Sequence, residues 1–276
     1  MVVQSFDITA RAEKRGALQY GLGMRSPFRF VALVFALSAP IWLVEPGAWP
    51  ITAAVGVPLV ASLILVYRAE GLRGVRNHLN RVFDQWKIRP IWYVPLVLLA
   101  PSLSFLNYLI QRLIGLPLHA EPTNVLVTIP LLFVLFFVLG IGEEAGWTGY
   151  ATDPLQARWS ALTTAVVLGL VTSLWHLVPL VKMGHPALWI AWWTVWSVPL
   201  RIFILWIYNN TGKSLFAAIL MHAMINLSSS SPFIPRAGSH WDMLILAVLT
   251  WIAAIVVVGV WGPNTLAARP DSRDAE

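Results

Sequence analysis

Residues 140–150 read GIGEEAGWTGY, and the adjacent carboxylates Glu143 and Glu144 follow directly on the apolar run VLVTIPLLFVLFFVLGIG. An ionisable group placed in hydrocarbon is costly unless it faces a wet cavity or a partner, so acids in such a place call for a purpose. Few other polar groups interrupt the apolar stretches: His176 in SLWHLVPL, Arg201 in SVPLRIFIL, and His222 with Asn226 in LMHAMINL. His222 and Asn226 are four residues apart, so on a helix both project from one face and address one object. The pair makes a candidate site wall. A carboxylate withdrawn from water suits a general base, and histidine and amide donors suit a developing negative charge.

Each residue also has a plainer reading. The two glutamates can form a hydrated helix end, and a lone histidine in a bundle often serves as an interhelical hydrogen-bond donor. Gly142, Gly146 and Gly149 make a small-residue stripe whose ordinary meaning is close helix packing. What speaks against the plain readings is coincidence, because acids, histidines and an amide recur on three different apolar stretches.

The chain that must position them is a membrane protein. Of 276 residues 58% are hydrophobic and 12% charged, far from the mixture of a soluble domain. Cysteine is absent, which removes disulfides, thiolate chemistry and cysteine metal sites together. The formal charge of +6 is small for this length, which disfavours nucleic acid and favours anionic lipid headgroups as the polyanionic partner.

Uncharged stretches at 30–44, 46–67, 90–111, 122–142, 159–181, 186–210 (interrupted by Arg201), 214–235 and 243–268 predict an all-α polytopic helix bundle of about eight transmembrane helices. With a cytosolic N-terminus, fifteen of the nineteen Lys and Arg fall inside and Arg112, Lys182 and Arg236 outside, so both termini are expected in the cytosol. The segment EGLRGVRNHLNRVFDQWK at 70–87 sets Leu72, Val75, Leu79, Val82, Phe83 and Trp86 at helical spacing against Arg73, Arg76, Arg81 and Lys87. It predicts an amphipathic interfacial helix lying on the inner leaflet, either an anchor or a guide for substrate. The expected organisation is a cytosolic tail over 1–27 that is not a signal peptide, one membrane domain over 28–268, and a short cytosolic tail over 269–276.

Helix arithmetic leaves a gap in depth. With inner ends near Thr152, Ser160 and Lys213, a rise of about 1.5 Å per residue puts Glu143 and His222 about 13 Å deep and His176 about 24 Å deep. The gap closes if the acid-bearing helix continues past Tyr150 towards Gln156, or if the helix carrying His176 begins late or tilts.

EEAGWTGY, SLWHLVPL and SLFAAILMHAMIN resemble, in order and spacing, the three motifs of the CPBP family. These are membrane proteases of the CAAX-protease and bacteriocin-processing type, also called the ABI family, whose motifs run as a diacidic EExxxR, a helix ending in histidine, and HxxxN. The likeness covers residues 122–228. It implies an intramembrane endopeptidase of a bacterial plasma membrane that hydrolyses a membrane protein or peptide. Glu143 and His176 would activate water, Glu144 would hold its neighbours from behind, and His222 with Asn226 would stabilise the oxyanion. Zinc stays open as a cofactor, with Glu143, His176 and His222 as candidate ligands, because members have been called metalloproteases while this chain has no HExxH pair. Thr148 stands where the motif has arginine, which leaves Glu144 without its cation and makes Arg201, on another helix, the expected replacement. Two other readings stay open: a catalytically silent immunity or scaffold protein of the same fold, and a small-molecule transporter.

Overall fold

The computed structural model describes residues 25–43, 54–119, 124–230 and 234–267. Of the expected tails, 1–24 of the tail over 1–27 and all of 269–276 lie outside these residues, as does the start of the second span over 46–53. The described chain forms eight principal helices: α1 (Pro27–Leu43), α2 (Val57–Asn80), α3 (Tyr93–Leu113), α4 (Val125–Gln156), α5 (Ala161–Lys182), α6 (Ala187–Asn210), α7 (Leu215–Ser229) and α8 (His240–Trp261). Among the described residues there is no strand, only an isolated antiparallel bridge between His119 and Arg236. In hydrocarbon every backbone polar group needs an internal partner, which is why long uncharged runs fold as helices.

Five helices, α3, α4, α5, α6 and α8, are long and apolar enough to cross a membrane, while α1 and α7 are shorter apolar helices. The bundle is therefore less uniform than eight equal spans. Its centre is α6, where Trp196–Val198 and Arg201–Tyr208 are buried, flanked by α5 and α8, with α7 packed among α3, α4 and α6. The first turns of α4 do the opposite and expose Leu126, Val127 and Leu131 on the outer surface of the bundle. Lipid is the solvent that suits such a face.

Close approach is bought with glycine at the acid-bearing end of α4. A Cβ on Gly142 would meet the Val55 carbonyl oxygen at 2.8 Å, and one on Gly146 would meet the Pro58 carbonyl oxygen at 2.5 Å. The expected small-residue stripe thus packs α4 backbone against the entry of α2.

The interfacial segment departs from its expected form. Gly71 takes φ 66 and ψ −163, breaking α2, and the chain turns through Leu72–Asn80 into two short 3-10 turns, Arg81–Phe83 and Gln85–Lys87. Leu72, Leu79, Phe83 and Trp86 are exposed as an apolar surface, but Val82 and His78 are buried against the bundle. Arg81 turns inward as well, donating to the Gly149 carbonyl (2.7 Å) and the Tyr208 hydroxyl (2.7 Å). It was expected on the charged outer face, and the reason it is not lies in α4.

There the helix does continue to Gln156, but through a π-helical stretch over Trp147–Thr152. Widening a helix changes which carbonyls find amide partners, and a buried carbonyl left over must be satisfied by a side chain. Arg81 takes the carbonyl of Gly149, and the Thr152 hydroxyl takes that of Trp147 at 3.1 Å. With the helix end at Gln156, Glu143 lies roughly 20 Å from it, close to the ~24 Å that separates Ser160 from His176.

The Gly146 contact sets a test. Gly146→Leu should lower thermal stability in detergent by about 1–3 kcal/mol, the usual range for overpacking, because backbone atoms of Pro58 have nowhere to retreat. Unchanged melting of this variant would show that α2 and α4 are not held in contact there.

Candidate functional site

The two glutamates at the end of the apolar part of α4 point to different partners. Glu144 is fully buried and its carboxylate is saturated. Arg201 of α6 donates through Nη1 to both oxygens, at 3.0 Å to Oε1 and 2.8 Å to Oε2. His222 Nδ1 on α7 lies 2.8 Å from Oε1, and the Thr148 hydroxyl donates to Oε2 at 2.5 Å. One carboxylate therefore ties α4, α6 and α7 together, and Thr148, in the place of the motif arginine, adds a neutral donor while Arg201 brings the charge.

Glu143 faces the other way, into a cavity of about 180 Å³ whose wall includes Thr172, His176, Arg201, His222 and Asn226. His176 Nε2 is 3.8 Å from Glu143 Oε1, and His222 Nε2 is 3.9 Å from the same oxygen. Both distances exceed a direct hydrogen bond and suit one small group held between them.

The orientation of each imidazole follows from its far nitrogen. His176 Nδ1 sits 2.8 Å from the Thr172 carbonyl one turn earlier in α5, so Nδ1 carries the proton and Nε2 turns its lone pair to the cavity. Its ring is fixed between Trp175 (centroids 4.7 Å apart) and Trp193 of α6 (5.1 Å). His222 likewise gives its Nδ1 proton to Glu144, which leaves Nε2 towards Glu143.

Helix α7 is placed by an acid that sequence reasoning did not single out. The buried Asp84 carboxylate accepts from the Ser214 hydroxyl (2.7 Å) and from the backbone N–H groups of Phe216 (3.1 Å) and Leu215 (3.4 Å). Ser214 in turn accepts from Ala217 N–H, so the first turn of α7 is capped twice. An anion at a helix N-terminus is stabilised by the unpaired amides and the helix dipole. Asp84 lies 130 residues earlier in the chain, and no local pattern marks it as a cap.

All five expected site residues, Glu143, Glu144, His176, His222 and Asn226, thus gather around or directly behind one cavity, with Arg201 joining them. What the sequence left out are Thr148 as a donor, the aromatic clamp of Trp175 and Trp193, and the positioning pair Asp84 and Arg81. Trp193 and Trp196 look like interfacial tryptophans in sequence, which hid their place in the cavity wall.

Comparison with known proteins agrees with this geometry. Residues 125–228, the stretch holding all three motifs, match the model of the Rce1-like family, the type II CAAX prenyl endopeptidases. CAAX prenyl protease 2 of Methanococcus maripaludis is 28% identical over 216 residues, covering 73% of this chain and 78% of that protein. Lysostaphin resistance protein A of Staphylococcus haemolyticus is 18% identical over 203 residues, covering 73% of this chain and 54% of that protein. The three motifs, the buried cavity on which they converge and these similarities point the same way: over its motif-bearing part the chain is similar to the CAAX-protease (CPBP) family of membrane peptidases.

Proposed function

We infer that the protein is an intramembrane endopeptidase that hydrolyses a peptide bond of a membrane-associated protein or peptide with water activated by Glu143 and His176. The observation that carries this reading is the pair of Nε2 atoms, on His176 and His222, facing a single oxygen of Glu143 at the wall of one cavity.

A water held there donates one hydrogen to Glu143 and the other to the His176 Nε2 lone pair. Its oxygen lone pairs are then free to attack a carbonyl carbon. As the bond forms, Glu143 takes the proton and later delivers it to the leaving amine, so the carboxylate returns to its starting state. The carbonyl oxygen becomes an oxyanion, for which the Asn226 amide, one turn beyond His222 on the cavity wall, is a donor. His222, backed by Glu144, is the second donor once its Nε2 carries a proton. Glu144, which accepts from His222 Nδ1, and Glu143, which its Nε2 faces, both lie beside that imidazole.

Glu143, His176 and His222 are donor types that take zinc, and both imidazoles keep Nε2 turned inward. Their spacing does not gather three such side chains around one metal position among the described residues, so each step is assigned to side chains and water. A silent scaffold of the same fold would not need two imidazoles turned on one carboxylate, and a transporter would not need Glu144 saturated behind it.

The orientation proposed is that of the charge count, with both termini in the cytosol of a bacterial plasma membrane. In a chain with no native cysteine, Met183→Cys, exposed after α5, should react with an impermeant thiol reagent on intact cells. Gln85→Cys, on the exposed interfacial segment, should react only after permeabilisation, and the reverse pattern would invert the topology.

Glu143→Gln keeps the shape of the side chain and removes its basicity. It should lower kcat on a membrane peptide substrate by about 10²–10⁴ with little change in melting temperature. Full turnover by this variant would remove Glu143 from the mechanism.

Arg201→Leu leaves Glu144 buried without its cation, and removal of one partner from such a pair costs about 3–5 kcal/mol. Melting temperature and activity should both fall, and adding Thr148→Arg, which restores the motif residue beside Glu144, should recover part of each. Additive damage in the double variant would mean that the two positions do not serve the same carboxylate.

A further inference from the structure

Away from the catalytic cavity, a second cavity of about 360 Å³ opens between the start of α1, the end of the apolar part of α2 and the π-helical stretch of α4. It is lined by Ser26, Arg29, Leu65, Arg68, Ala69 and Tyr150. Its volume falls among small-molecule sites, roughly 300–1,000 Å³.

Three features define its chemistry. First, Arg29 and Arg68 both reach it, both are exposed, and among the described residues neither is ion-paired. The nearby acid Glu70 is already taken by Arg25, which accounts for its charge at 2.8 Å and 3.1 Å. Two guanidinium forks converging on open space match the planar, bidentate recognition of a phosphate oxygen pair. Second, the floor is rigid, since Tyr150 is buried against Phe30 (5.3 Å between centroids) with the Arg25 guanidinium over its ring at 5.5 Å. Third, the cavity is bordered by apolar side chains that face outward: Phe28, Ile64 and Tyr67 are all exposed. A free anion has no use for that border, whereas acyl chains do.

We propose that this cleft binds the phosphate of an anionic phospholipid headgroup, with Arg29 and Arg68 holding the phosphate and the acyl chains lying over Phe28, Ile64 and Tyr67. The site is separate from the peptidase cavity and its existence does not depend on the proposed reaction. It touches that site through one element, because Tyr150 belongs to the same π-helical stretch that follows Glu144. A seated lipid therefore fixes the outer wall of the segment on which the catalytic acids are mounted.

The test uses the full chain purified in neutral detergent, with bound phosphatidylglycerol and phosphatidylcholine quantified by native mass spectrometry. Wild type should retain phosphatidylglycerol in preference to phosphatidylcholine. Arg29→Gln/Arg68→Gln should weaken phosphatidylglycerol binding by at least about tenfold, since each cation near an anionic surface contributes several-fold. Arg73→Gln/Arg89→Gln removes two exposed arginines elsewhere and controls for net charge; it should change binding less than about threefold. Competition by glycerol 3-phosphate or inorganic phosphate would show that the phosphate alone suffices and assign the cleft to a free phosphate. The absence of competition assigns it to the intact lipid. Equal retention by wild type and the Arg29/Arg68 variant, an equal loss in the control pair, or no preference for the anionic lipid would each overturn the proposal.

Discussion

The ion pair between Glu144 and Arg201 holds the bundle in the one arrangement that has an active site. Both partners are almost completely inside the protein, where a charge without its opposite is costly, so an arrangement that parts Glu144 of α4 from Arg201 of α6 is strongly disfavoured. The same carboxylate also receives His222, so the pair fixes the rotation of α7 about its axis. From that rotation follow the direction of His222 Nε2 and the position of Asn226 on the cavity wall. A buried ion pair, in other words, sets the direction of the imidazole that faces the cavity.

Glu143 and Glu144 show how neighbours on one helix acquire different jobs. Successive residues point about 100° apart, so one acid faces the interior of the bundle and the other the cavity. The inward one is fully used by Arg201, His222 and Thr148 and has no lone pair left for substrate. The outward one has no donor as near and keeps its oxygens for water. Environment, not identity, separates the acid saturated by protein donors from the one that faces the cavity.

Much of the site was legible because the membrane makes polar residues conspicuous. Glu143, His176, His222 and Asn226 stood out against uncharged helices, and the missing motif arginine pointed to Arg201 as the remaining intramembrane cation. The helices themselves followed from the same contrast, and of the ways to close the depth gap the structure takes the extension of α4 to Gln156. What could not be read was whatever depends on partners distant in sequence. Asp84 looks like one more charge in an interfacial segment, and only the packing of α7 turns it into a cap. Arg81 was assigned to the outer face because periodicity reports the helix it sits on, not the carbonyl of Gly149 that a π-helical stretch leaves waiting. The kink at Gly71 was equally silent, since glycine is compatible with many conformations.

The short length of α7 bears on how the protein is made. At fifteen residues it spans about 22 Å, less than the roughly 30 Å of hydrocarbon, and its first turn is capped by a side chain from the segment before α3. Such a helix is a poor client for stepwise insertion by the translocon, because on its own it neither reaches both interfaces nor satisfies its amino-terminal amides. It must wait in the growing chain until α3, α4 and α6 have assembled a socket for it. His222 and Asn226 therefore reach their places only when α7 docks, so the cavity wall they form is completed by packing within the bundle and not by the insertion of α7 on its own.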